Sequence, residues 1–272
     1  YLVCGSGVRG IGIAEQLENA LCDAGLTPAQ ARERIFVHDK NRILCTRSRH
    51  PHYIMKYAKD PTMFEWLSDE GKLDVENSIV NAGITVLVGA CSEGGCFTKQ
   101  IVESVCQNTK RPVIIPLSGL NKENDSQVGD IATWSKGNAL VAHGGCSACG
   151  GSDADASIAL CNNAFVFPGV GLGVLVSGAR QVLPEFFTEA AKTVSDSVSK
   201  SELEEGMLVP RIASFPEVSR KVAHAVTMSA VKHGVSRPCA FANYKHENDS
   251  ARMKKLINGM CWQPDYLPLT PM

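Results

Sequence analysis

The stretch Tyr1–Leu17, YLVCGSGVRGIGIAEQL, decides how the rest of the chain is read. A short apolar run, Tyr1 to Cys4, meets Gly5-Ser6-Gly7-Val8-Arg9-Gly10. Ile11, Ala14, Leu17 and Leu21 then recur at helical spacing. The order is strand, glycine turn, helix. Gly5 permits a sharp turn, Gly7 lets backbone amides approach a pyrophosphate, and Gly10 lets the helix lie close on the strand, with its N-terminus facing the anion. A lone G-x-G-x-x-G is weak, but between a strand and a helix it has the context the motif needs. A glycine-rich turn without a ligand is the competing reading.

Composition narrows the rest. A chain of 272 residues suits one large α/β domain or two modest ones. Net charge is −1 with 20 % charged residues of mixed sign, so there is no basic field for nucleic acid. The longest apolar run, Phe165 to Ser177, is broken by Pro168 and glycines and does not read as a membrane span. No signal peptide is visible at the start. Eleven cysteines, most inside apolar segments, favour a reducing, intracellular compartment over a disulfide framework. Residue 1 is not Met and a strand begins at once, so the chain is expected to be cut from a longer polypeptide.

Further along, Thr27 caps a short helix with Pro28 at its first position, and Ile35 to Asp39 reads as a second strand ending in an acid. In a dinucleotide fold that acid meets the adenosine ribose; alone, Asp39 also reads as a turn residue. Arg42 to Lys59 is basic and irregular, a loop for a ribose 2′-phosphate or simply a solvated one. Met63 to Ala82 reads as helical, split at Gly71. Thr85–Gly89, Arg111–Leu117 and Ala139–Ala142 read as strands, with a helix from Lys99 to Asn108 capped by Thr98.

Strands alternating with helices give an α/β, Rossmann-type, doubly wound and mostly parallel sheet with helices on both faces. The loops after Cys4, Asp39, Gly89, Leu117 and Ala142 should then line one cleft at the carboxyl ends of the strands. His143, Cys146 and Cys149 suggest metal or redox chemistry, or a flexible loop of small residues. Pro168 opens a glycine-rich helix, GVGLGVLVSGAR, whose glycines imply close packing on a neighbouring backbone. Asn162 and Asn163 precede it as short donor–acceptor side chains, or as an ordinary turn. Helices follow from Pro184 to about Val198 and from Val218 to His233, with His224 and His233 on the polar side.

At this point the chain resembles the malic enzyme family, in its C-terminal NAD(P)-binding domain. GSGVRGIGIA (Gly5–Ala14), RIFVHDKNRIL (Arg34–Leu44), VGACSEGGCFT (Val88–Thr98), RPVIIPLS (Arg111–Ser118), NNAFVFPGVGLGVLVSGAR (Asn162–Arg180) and LEEGMLVPRIASFPEVS (Leu203–Ser219) follow the family's motifs in order. The resemblance implies oxidative decarboxylation of L-malate to pyruvate and CO2, with NAD or NADP as oxidant and Mg²⁺ or Mn²⁺ as metal. It implies that Gly5, Ser6, Gly7, Val8 and Gly10 cradle the pyrophosphate and that Asp39 holds the ribose. Ala90, Cys91, Ser92 and Ser118 would run along the cofactor, and Asn162 and Asn163 would face malate. Lys56 falls where NADP users carry a Lys for the 2′-phosphate, which leans the reading to NADP.

The family's Tyr acid, Lys base and metal carboxylates lie upstream of its glycine motif. No catalytic residue or metal ligand is therefore assigned in this chain, and its own N-terminal catalytic domain is an expected partner. A homodimer or homotetramer in the cytoplasm or a mitochondrion-type organelle is implied, with no nucleic-acid or membrane partner. Residues 1–236 are expected to form the NAD(P)-binding domain, and 237–272 a helix and extended tail. Two departures stand out: the family's SNP reads Ser118-Gly119-Leu120, and its PGQ is replaced by Ile158-Ala159-Leu160-Cys161. They keep open a non-catalytic NAD(P)-binding module or a divergent hydroxy-acid dehydrogenase domain.

Overall fold

The three residues Leu2, Val3 and Cys4 are all buried, as a strand covered on both faces must be. They form β1 (Leu2–Cys4), an interior strand of the sheet in the computed structural model, which describes residues 1–40, 42–69, 71, 73–91, 97–117, 128–144, 158–237 and 247–261. The other strands are β2 (Phe36–Asp39), β3 (Arg42–Ile43), β4 (Val86–Gly89), β5 (Val113–Pro116), β6 (Leu140–His143) and β7 (Ala159–Leu160). Their order is β3-β2-β1-β4-β5-β6-β7, parallel throughout except for the β2–β3 hairpin. Leu2 lies opposite both Phe36 and Leu87, so β1 is flanked by β2 and β4 and the winding reverses between β1 and β4.

Period-two alternation sorts the strand residues onto two cores. Leu2, Cys4, Phe36, Leu87, Ile114 and Val141 pack on one face, against helices α4 (Val75–Asn81), α5 (Lys99–Asn108) and α6 (Val128–Trp134). Val3, Val37 and Ala90 pack on the other, against α1 (Val8–Asp23) and α3 (His52–Met55). The doubly wound sheet expected from the sequence is therefore the observed one. Thr27 heads α2 (Pro28–Glu33) through a capping box with Gln30, and the Thr98 hydroxyl accepts from the Ile101 amide at the start of α5.

Two expectations are corrected. Residues 42–59 are not an irregular loop, since they contain β3, α3 and a parallel bridge between Cys45 and Lys59. The first half of the helix expected at 63–82 is a 3-10 turn, Glu65–Ser68. Phe64 and Trp66 stack around Phe36, with ring centroids 5.6 and 6.2 Å from it, and this packing outweighs the helical pattern.

The chain divides into two compact units. One is Tyr1–Asn162 with Val198–Arg211, which carries the sheet and α9 (Lys200–Glu204); the other is Asn163–Ser197 with Ile212–Met272. The second unit contains α7 (Phe167–Ser177), α8 (Pro184–Asp196), α10 (Phe215–Lys232) and α11 (Glu247–Met260). The glycines of α7 do what the sequence implied. A Cβ on Gly169 would lie 2.5 Å from the Ser219 carbonyl oxygen, and one on Gly173 would lie 2.7 Å from Val226 and 2.8 Å from the Ala223 carbonyl oxygen. Thr227 donates to the Ala223 carbonyl at 2.8 Å, so the hydroxyl buried at this crossing is paired. Met253 and Ile257 of α11 close the cluster against Val176 and Ala223. The extended stretches expected on either side of α11 lie outside the described residues.

Gly173→Ala should destabilise this crossing by about 1–3 kcal/mol through overpacking. Gly171→Ala, where an added Cβ meets nothing within 4 Å, should be neutral or stabilising by up to about 1 kcal/mol. Urea unfolding of the two variants side by side checks the asymmetry.

His38 on β2 gives a pH signature. Burial pushes its imidazole down to about 4, against a hydrogen bond that the ring donates to the Leu73 backbone and the charges of Asp39 and Asp74, which pull it up. The folded value lies below the unfolded one, so the unfolded chain takes up the proton first. Stability should be full above about pH 7 and fall by about 3 kcal/mol as pH drops from about 6.5 to about 4. Urea midpoints across that range should show this slope, and His38→Phe should flatten it.

Candidate functional site

Each parallel ladder continues one residue past its strands. Gly5 donates to the His38 carbonyl at 2.8 Å, Ala90 to Cys4 at 2.8 Å and Leu117 to Gly89 at 2.8 Å. Gly144 donates to Pro116 at 3.1 Å and Cys161 to His143 at 2.8 Å. The loops named from the sequence thus leave the sheet at one edge. That edge is where doubly wound sheets take ligands, centred on the switch between β1 and β4.

Gly5 stands at that switch. Its φ of +129° suits only glycine, and a Cβ there would lie 2.9 Å from the Ala90 carbonyl carbon and 3.0 Å from the Cys91 amide nitrogen. Ala90 and Cys91 are thereby set against the glycine turn. Gly10 is tighter still, since its Cβ would fall 1.7 Å from the Gly5 carbonyl oxygen. Gly7 is different. It is the N-cap of α1 with extended backbone and no side-chain cap, and an added Cβ would meet nothing within 4 Å. The first turn of α1, opening at Val8 and Arg9, holds no acidic side chain. Its amides have no intrahelical acceptor, and the helix dipole there favours an anion.

Asp39 joins this turn. The Ser6 hydroxyl donates to Asp39 Oδ1 at 2.7 Å, and the Lys40 amide donates to the same oxygen at 3.0 Å. The acid at the end of β2 and the glycine turn after β1 are therefore one linked group. The sequence offered both residues but not their bond.

Lys56 is committed elsewhere. Its ammonium lies 2.9 Å from Glu18 Oε2 and 4.0 Å from Glu15 Oε1, both on α1. Glu18 also accepts from the Tyr57 hydroxyl at 2.7 Å and from Arg32 Nε at 2.9 Å. Burial pushes the Glu18 carboxyl up, but the hydrogen bonds from Lys56, Tyr57 and Arg32 together leave it below its usual value. Burial and the Glu18 carboxylate in turn push the Tyr57 phenol far up. This cluster was missed from the sequence. Its signal was a carboxylate on the buried stripe of α1, in line with Ile11 and Ala14.

Asn162 follows β7, half-buried, and its amide donates to the Leu160 carbonyl at 3.1 Å. Asn163 is exposed and opens the second unit with a 3-10 turn, Asn163–Phe165. Ser92 and Ser118 lie outside the described residues, as do Gly119, Cys146 and Cys149. His143 is buried at the end of β6. Burial pushes the Cys161 thiol up, away from reactive thiolate character. Among the described residues no group of three His, Cys, Asp or Glu side chains is placed to hold a metal ion. No described helix is long and apolar enough to cross a membrane.

Comparison with known proteins bears on this geometry. Residues 1–231 match the family model described as "Malic enzyme, NAD binding domain". The chain is 30% identical over 267 residues to an NAD-dependent malic enzyme of Psychromonas ingrahamii, covering 96% of this chain and 46% of that protein. It is 32% identical to the enzyme of that name from Photorhabdus laumondii, covering 96% and 45%. The chain thus spans about half the length of the curated relatives it matches. The crystal structure of Entamoeba histolytica malic enzyme superposes with a TM-score of 0.68 at 17% identity, over 95% of this chain and 46% of that one. The malic enzyme structure from Pyrococcus horikoshii gives a TM-score of 0.60 at 21% identity, over 95% and 54%. These two likenesses speak to the fold.

Gly10→Ala tests the site's tightest contact. The methyl has no room against the Gly5 carbonyl, so α1 must shift on β1 at a cost of about 3 kcal/mol or more. A lowered urea midpoint, together with weakened amide-exchange protection in α1, is the expected result.

Proposed function

The chain belongs to the malic enzyme family, in the part described as its NAD-binding domain, and from that premise we propose that it holds NAD while L-malate is oxidatively decarboxylated to pyruvate and CO2 by the longer protein. One observation carries the reading. The open, uncapped start of α1 at Gly7 is joined through Ser6 to the Asp39 carboxylate, at the β1–β4 switch of the sheet. This cradle suits a pyrophosphate on the amides and a ribose on the acid. A nicotinamide dinucleotide held there would supply the hydride acceptor for oxidation at the hydroxy-acid carbon.

The work of the chain itself is positioning. Gly5 keeps the turn pressed on the backbone of Ala90 and Cys91, which leaves the helix N-terminus at the mouth of the sheet. The Asp39 carboxylate accepts hydroxyl hydrogens from the ribose and so fixes the adenosine half. Asn162 and Asn163 supply amides for a malate carboxylate on the family resemblance, with Asn163 the stronger candidate. NAD is favoured over NADP because the curated relatives are named for NAD and because Lys56 is held by Glu18 on α1.

The proton-transfer groups are assigned to a second catalytic domain of the polypeptide. Among the described residues no group of His, Cys, Asp or Glu side chains fits Mg²⁺ or Mn²⁺. In α7, Phe167 and Leu175 are 76% and 69% exposed, an apolar stripe of the kind such a domain would cover. Self-association as a dimer or tetramer, and an intracellular location, remain part of the same reading.

Titration of the intact protein with NAD, followed by calorimetry, is the test. Saturable binding is expected in the wild type. Gly7→Ala should keep the wild-type melting temperature, because its methyl points into open space, and should weaken NAD about tenfold or more by standing where the pyrophosphate approaches. Absence of NAD binding in the folded wild type, or an unweakened Gly7→Ala, overturns the reading.

A further inference from the structure

The hydroxyl of Ser6 has two available targets in a nucleotide-binding turn. It can donate to the pyrophosphate, as its place between Gly5 and Gly7 suggests, or it can turn back to the sheet. The structure shows the second arrangement, with Ser6 Oγ 2.7 Å from Asp39 Oδ1. A hydroxyl has one proton to give, so this bond leaves none for a phosphate oxygen. The Lys40 amide reaches the same Oδ1 at 3.0 Å. With both donors on Oδ1, and none on Oδ2 among the described residues, the carboxylate is fixed in one rotamer with one oxygen left to accept.

From this geometry we infer that Ser6 is a specificity-positioning residue: it locks the Asp39 carboxylate toward the adenosine ribose and thereby selects a free 2′-hydroxyl over a 2′-phosphate. The inference rests on the NAD-binding reading above and deepens it. A fixed carboxylate does two things at the ribose. It accepts from the 2′-hydroxyl, and it repels a phosphate at the same carbon. Both effects need the acid held in place. Asp39 ends β2 just before the turn to β3, where Arg42 lies opposite it in the hairpin register. Without Ser6 the side chain keeps only the adjacent amide of Lys40 and gains rotamer freedom.

Lys56, one of the cations the sequence offered for a 2′-phosphate, is paired with Glu18 at 2.9 Å and so is committed to α1.

A double-mutant cycle tests this in the intact protein, with dissociation constants measured for NAD and for NADP in wild type, Ser6→Ala, Asp39→Ala and the double variant. Ser6→Ala should weaken NAD about five- to tenfold, as expected for the loss of one hydrogen bond to a charged group, and leave NADP unchanged or tighter. In the Asp39→Ala background the same substitution should change neither constant by more than about twofold. Ser6→Thr, which keeps the hydroxyl, should retain most of the preference for NAD.

A different pattern overturns the inference. If Ser6→Ala weakens NAD and NADP by the same factor, and does so equally without Asp39, the hydroxyl acts on the shared pyrophosphate or on folding alone. Melting temperatures of the nucleotide-free variants separate those two. If the folded wild type binds neither nucleotide, the NAD-binding reading itself falls, a result distinct from equal weakening.

Discussion

One close approach governs the carboxyl edge of the sheet: the backbone of α1 at Gly10 lies on the backbone of β1 at Gly5, where even a methyl group would fall 1.7 Å from a carbonyl oxygen. Atoms that close have no side chain between them, so the height of the helix above the strand is set by main chain alone. The same Gly5 presses on the backbone of Ala90 and Cys91 after β4. The turn after β1, the first turns of α1 and the distant segment after β4 thus meet through glycine, and the start of α1 is delivered to the point where the winding of the sheet reverses. The electrostatic consequence is local. Amides without intrahelical acceptors point out of the edge, with no acidic side chain in that turn to offset them.

The far side of α1 is secured by charge instead of by contact. Glu18 is nearly buried, yet it draws donors from α2 through Arg32 and from the α3 region through Lys56 and Tyr57. A carboxylate this far from water is tolerable only when its lone pairs are filled. Three donors fill them, and the geometry of each fixes the angle of a neighbouring helix. Ser6 and Asp39 repeat the device at smaller scale, where a hydroxyl and an amide hold one carboxylate oxygen. Glycine sets how close α1 comes, and carboxylates set how it is oriented.

These two devices differ in how far the sequence discloses them. The glycine turn, the helix 99–108 with its Thr98 cap, the N-cap at Thr27 and the α7 glycines all rest on short-range chemistry, and each was legible. The two-residue strands β3 and β7 were not, because a pair of residues has no period to detect. Nor was the 3-10 turn at Glu65–Ser68, where contact with Phe36 overrode the local pattern. Lys56 shows the limit most sharply. Its position in the chain suggested a phosphate, and its partner, Glu18, is supplied by a helix almost forty residues earlier. Of the site, the members were visible in the sequence, and the Ser6–Asp39 bond that joins them was visible only in three dimensions.

The groups around the glycine turn share one support. The glycine turn, Ser6, Asp39, Ala90 and Cys91 all belong to one compact unit, and all precede residue 92. Their geometry is fixed by β1, β2 and β4, strands buried on the interior of the sheet. Asn162 belongs to the same unit, while Asn163 begins the next, so the paired asparagines are built on two different supports.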